Sequence, residues 1–126
     1  MSALGDLSVS LRDFAANVQT EGRSIALSLS GNADMAAKDS LDALLPRVHG
    51  EAQRLGVTEV QVDFQKLEFM NSSCFKSFVS WISDIGDLDP SKQYKIRLLS
   101  NPEMHWQRRS LHALRCFAVD LITVEP

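Results

Sequence analysis

Several things are scarce in these 126 residues, and each scarcity excludes a class of protein. There are two cysteines, Cys74 and Cys116, far apart in the chain. They form neither a disulfide framework nor a Cys-x-x-Cys metal motif, so a reducing compartment is expected, although one bridge stays open. Positive charge is not in excess, the net charge being −3. A protein that grips nucleic acid non-specifically needs a basic stripe that neutralises several phosphates, and nucleic acid is not an expected partner. No apolar run approaches the ~20 residues that span a bilayer. Met-Ser-Ala-Leu-Gly-Asp has neither the basic nor the apolar region of a secretion signal. A cytoplasmic protein without membrane insertion is expected. His49, His105 and His112 have no ligand spacing, so neither metal nor cofactor is expected.

What is present reads as one domain, large enough to bury a core without staples. Leu7–Leu11 and Ile25–Ser30 alternate apolar and polar residues and predict half-buried strands. Gly31-Asn32-Ala33-Asp34 follows as a loop signal. From Ala36 to Leu55 the spacing of Leu41, Leu44, Leu45, Val48, Ala52 and Leu55 predicts a helix stopped by Gly56. Pro46 inside it predicts a kink or split near Leu45. Val60–Met70 predicts a strand, and Phe75, Phe78, Val79, Ile82 and Ile85 mark one buried face of a second helix. Lys76, Ser77, Ser80 and Asp84 are placed on its outer side. Tyr94–Leu99 predicts another strand, and Glu103–Phe117 a third helix burying Trp106, Ala113, Leu114 and Phe117. Leu121–Val124 predicts a last strand. The order β-β-α-β-α-β-α-β implies an α/β domain over 7–126, behind a tail at 1–6, with helices on a mixed, mainly parallel sheet of four to five strands.

The junction at Asn71-Ser72-Ser73-Cys74 is the best candidate for a working site. These residue types cap a helix, and a helix start offers unpaired N–H groups and partial positive charge that favour an anion. On its own, Ser73 reads first as a helix cap or first-turn residue without chemistry. Cys74 is either a thiol activated by the helix start or a small buried residue. A serine or cysteine between strand and helix also suggests a hydrolase nucleophile, but Gly-x-Ser-x-Gly is absent and no histidine–carboxylate pair is tied to it. Arg108, Arg109 and Arg115 form a solvated face or meet an acidic partner or nucleotide phosphate. Trp81 and Trp106 belong to core or rim, or anchor an interface.

The run Asp63-Phe64-Gln65-Lys66-Leu67-Glu68-Phe69-Met70-Asn71-Ser72-Ser73-Cys74 resembles the signature of STAS domains, the bacterial anti-sigma-factor antagonists. That signature is Asp-x-Ser, a few hydrophobics, then Asp-Ser-Ser-Gly opening a helix. Gly31-Asn32-Ala33-Asp34 is similar to the family's Gly-Glu-Leu-Asp loop. Gln65, Asn71 and Cys74 depart from the pattern, as in a divergent member. The resemblance implies a regulator of transcription that binds protein partners and is not an enzyme. An anti-sigma factor that is also a serine kinase would bind it and phosphorylate Ser73, less readily Ser72, and a phosphatase would reverse the modification. Gly31, Asn32, Asp34, Asn71, Ser72, Cys74, Lys76, Ser77 and Ser80 would form the partner surface. The alternative is a STAS subunit or scaffold of a transporter or signalling assembly that binds without phosphorylation. The sequence leaves the oligomeric state open.

Overall fold

The computed structural model describes residues 8–125; the expected tail 1–6, Leu7 and Pro126 lie outside the described residues. The chain forms β1 (Val9–Ser10), β2 (Phe14–Glu21), β3 (Ser24–Ala33), α1 (Met35–Leu55), β4 (Glu59–Met70), α2 (Ser72–Gly86), β5 (Lys95–Leu99), α3 (His105–Cys116) and β6 (Ile122–Glu125). The six strands lie side by side in chain order. β1, β2 and β3 pair antiparallel, and β3 through β6 pair parallel.

The sheet therefore has one strand more than expected. The first strand shrinks to Val9–Ser10, and β2 occupies a stretch the sequence did not mark. Phe14, Ala16 and Val18 alternate inward there. Two of the eight residues are alanines, which pattern weakly as strand because they add little apolar surface. A two-residue turn at Gly22-Arg23 joins β2 to β3, and Gly22 takes the left-handed φ of 59° that such a turn requires.

One face of the sheet is the core. Ile25, Leu27, Val60, Val62, Phe64, Ile96, Leu98 and Ile122 point into it and meet Leu41, Leu45 and Val48 of α1, Phe78, Ile82 and Ile85 of α2, and Leu111 and Leu114 of α3. The other face stays at the surface, with Ser28, Gln61 and Thr123 on it. There Arg97 bridges Glu59 at 2.9 Å and Glu125 at 3.0 Å across three neighbouring strands.

Two helices differ from expectation. α1 runs unbroken through Pro46 rather than splitting at Leu45. Pro46 and Asp42, whose carbonyl loses its helical donor, both lie on the exposed side of the helix. Gly56 ends α1 with φ 64°, its N–H on the carbonyls of Ala52 and Gln53. α3 starts two residues later than expected and buries Gln107, Leu111 and Leu114, whereas Phe117 projects outward, 58% exposed. The helix ends at Cys116, so Phe117 no longer follows the periodicity that placed it inside.

Candidate functional site

Two helices begin side by side at the carboxyl ends of β3 and β4, the edge where open parallel sheets form ligand crevices. Asp34 caps α1, its Oδ1 accepting from Ala36 N at 3.0 Å. Asn71 caps α2, its Oδ1 accepting from Cys74 N at 2.8 Å. The caps are tied together: Asn71 N donates to Ala33 O at 2.9 Å, and Cys74 Sγ donates to Asp34 O at 3.4 Å. Parallel pairing through Ala33 and Met70 brings both helix starts to one level.

Gly31 and Asn32 belong to β3 rather than to a loop, because pairing with β4 continues past two register shifts. Here the β1–β2 connection crosses closely. Asn32 N donates to Asp13 O at 2.6 Å, and a Cβ on Gly31 would stand 2.0 Å from that oxygen. With φ 87° as well, position 31 accepts glycine alone without rearrangement.

Ser73 is the second residue of α2, half-buried, and its hydroxyl has no hydrogen-bond partner among the described residues. The N–H groups of Ser72 and Ser73 likewise have no backbone partner, as expected of a first helical turn. Ser72 is exposed, and Lys76 and Ser80 continue the same outer stripe of the helix.

Cys74 and Ser77 both face inward, so Ser77 lies on the buried side of α2 rather than the expected outer side. Ser77 Oγ donates to Asp42 Oδ1 at 2.5 Å, and Asp42 Oδ2 pairs with Lys38 Nζ at 2.5 Å. These two hydrogen bonds hold the Asp42 carboxyl below its ordinary range, and that to Asp42 raises the Lys38 ammonium. Ser77 therefore pins α2 to α1, which helical periodicity alone does not reveal. Burial pushes the Cys74 thiol up, the reverse of what a nucleophile needs. Asn71 caps as an aspartate would, and Cys74 fills interior space, so both departures from the STAS pattern fit the fold.

Two residues beside the site escape sequence reasoning. Met35 is 65% exposed directly after the α1 cap, and Phe69 is 48% exposed at the end of β4. Simple alternation puts Phe69 among strand hydrophobics, but the extra residues of the β4 bulges turn it to solvent. Behind the bulges Gln107, fully buried, bridges the strand to α3. Its Nε2 donates to Phe64 O at 2.6 Å and Leu67 O at 3.1 Å, and its Oε1 accepts from Asn101 N at 2.7 Å. These two carbonyls lie beyond Asp63, where β4 stops pairing with β5.

No family model matches the sequence. No curated protein matches it significantly. Among solved structures, an anti-sigma factor antagonist from Mycobacterium paratuberculosis matches with a TM-score of 0.68 at 16% identity, over 94% of this chain and 91% of that chain. This chain has the STAS fold. The anti-sigma factor antagonist SpoIIAA in its unphosphorylated form matches with a TM-score of 0.62 at 16% identity, over 89% of each chain. The phosphorylated form of SpoIIAA, described as a Bacillus cell fate determinant, matches at 0.57 and 18% identity, over 89% of this chain and 92% of that chain. The chain between β4 and α2 lies at the carboxyl edge of the sheet. Among the described residues no helix is long and apolar enough to cross a membrane.

Proposed function

We propose that this chain is a bacterial cytoplasmic regulator of the anti-sigma-factor antagonist type, switched by phosphorylation at Ser73. Its partner is an anti-sigma factor acting as a serine kinase, and a phosphatase resets it. The observation that carries this reading is the unpartnered Ser73 hydroxyl at the start of α2, set beside exposed Met35 and Phe69. Exposed apolar side chains next to a polar rim are what a protein partner covers. A phosphate at Ser73 brings roughly −1.5 to −2 charges to that surface. It meets the positive end of α2 within the domain, which lowers its cost to the fold, while a close-packed partner has to desolvate it. The switch thus acts on binding and leaves the domain folded. That SpoIIAA, of the same fold, is known in phosphorylated and unphosphorylated forms supports the reading. Gly31, Asn32, Asp34, Asn71, Ser72, Lys76 and Ser80 frame the contact. The role is binding rather than catalysis, and the buried Cys74, its thiol pKa raised by burial, is no candidate nucleophile.

Incubation with ATP and a candidate anti-sigma serine kinase should add one phosphate, mapped to Ser73 by mass spectrometry. Ser73→Ala should keep kinase affinity and Ser73→Asp should lose it, by roughly tenfold or more, since like charge at an interface costs several kcal/mol. Equal binding of both variants to an authentic partner would remove the switch and leave a constitutive subunit or scaffold of a transporter or signalling assembly.

A further inference from the structure

Apart from the β4–α2 junction, a groove of about 590 Å³ opens between the loop after β5, the outer side of α3 and β6. That is the size of cleft that encloses a small organic molecule. Its frame is bonded to itself. Asn101 Nδ2 donates to Gln65 O at 3.1 Å, Asn101 Oδ1 accepts from Glu103 N at 2.9 Å, and Ser100 Oγ donates to Glu125 O at 3.0 Å. With Gln107 holding Asn101 N, these bonds fix the loop and occupy its polar groups. Pro102, Met104 and Val124 add apolar surface.

The basic side chains of the groove are not bonded in this way. Arg108, Arg109 and His112 line it, and none has an acceptor among the described residues. The four ion pairs of the described residues all lie elsewhere, and no acidic side chain lines the groove. In a chain of net charge −3 this pocket carries the opposite sign. Arg108 and His112 stand one turn apart on α3 and so share a stripe.

We propose that the groove binds a small amphiphilic anion, a phosphate monoester with an apolar substituent. Its phosphate faces Arg108, Arg109 and His112, and its apolar group rests on Pro102, Met104 and Val124. Two guanidinium forks match a dianion with three acceptor oxygens, and the apolar wall distinguishes a substituted ester from inorganic phosphate. The inference is independent of Ser73 and survives failure of the switch.

Titration of the full chain with phenyl phosphate, inorganic phosphate and phenol, followed by amide NMR shifts, tests it. Phenyl phosphate should shift the amides of Ser100, Asn101, Met104, Arg108, Arg109 and Val124, and bind roughly tenfold tighter than either fragment. Its affinity should fall with salt, and by roughly tenfold or more in the Arg108→Gln, Arg109→Gln double variant, whose exposed positions leave the fold intact. No shifts at these amides, binding of either fragment as tight as that of the ester, or unchanged affinity in the double variant overturns the proposal.

Discussion

Gln107 shows how much one buried polar side chain supports. Its amide satisfies two buried carbonyls of β4 and the half-buried N–H of Asn101. Gln107→Leu keeps the volume and leaves three groups unpaired. It should lower unfolding free energy by about 2–4 kcal/mol, read from urea denaturation, because each orphaned buried group costs about 1–3 kcal/mol and solvent relieves part of that. Gly31 is a second single-residue constraint, with a backbone oxygen 2.0 Å from where a Cβ would stand. Gly31→Ala should cost about 1–3 kcal/mol in the same measurement, as strained backbone positions do. It should also shift the amide resonances of Asp13 and Asn32. An unchanged midpoint for either variant would contradict these assignments. Sequence reading reached these two residues unequally. Gly31 stood in a recognisable loop signal, whereas Gln107 reads as one more polar residue on an amphipathic helix until β4 is laid against it.

At the scale of elements, α1, α2 and the residue leading into β5 meet at a polar cluster inside apolar packing. Trp81 Nε1 donates to Tyr94 Oη at 2.9 Å, and the Tyr94 hydroxyl lies 2.6 Å from His49 Nδ1. Tyr94 Oη accepts from Trp81 and donates to His49 Nδ1 when that nitrogen carries no proton, an arrangement that goes with neutral imidazole. Burial lowers the His49 pKa below its ordinary 6.5, with the nearby Asp84 carboxylate opposing. Burial likewise raises Tyr94 above its ordinary range. For His49 the sign follows from proton counting. As pH falls through 6.5 the unfolded chain takes up the proton first, so stability declines from there toward the lower folded pKa. The urea midpoint should drop between pH 7.5 and 5.5, and His49→Gln should flatten that slope. A wild-type midpoint constant over this range would refute the neutral assignment. Asp42 adds a separate loss at more acid pH: its carboxyl pKa is depressed, so its contribution disappears as pH falls through that lower value. The periodicity of α1 and α2 was legible because each buries one stripe. The Ser77–Asp42 and Trp81–Tyr94 links were not, because they join residues 35 and 13 positions apart whose polar atoms meet only after packing.

The whole molecule has one core shared by the sheet and all three helices, with Cys74 inside it and Cys116 at the surface, both free thiols. A thiol reagent should therefore label one cysteine rapidly in the native protein. The second should react only at the rate and denaturant dependence of global unfolding. Fast labelling of both would place Cys74 outside the core. Order and type of α1, β4, α2, β5, α3 and β6 follow from the chain alone, since alternation and 3.6-residue spacing are local consequences of which side chains must leave water. The helix start at Asn71-Ser72-Ser73 follows too, because capping is chemistry between residues two or three apart. Tertiary structure alone decided the rest. It made a strand of Phe14–Glu21, turned Phe69 and Phe117 outward and Cys74 and Ser77 inward, and set the starts of α1 and α2 together at one edge of the sheet. Those outcomes depend on pairing register and on which surfaces meet, and both arise from contacts between residues distant in the chain.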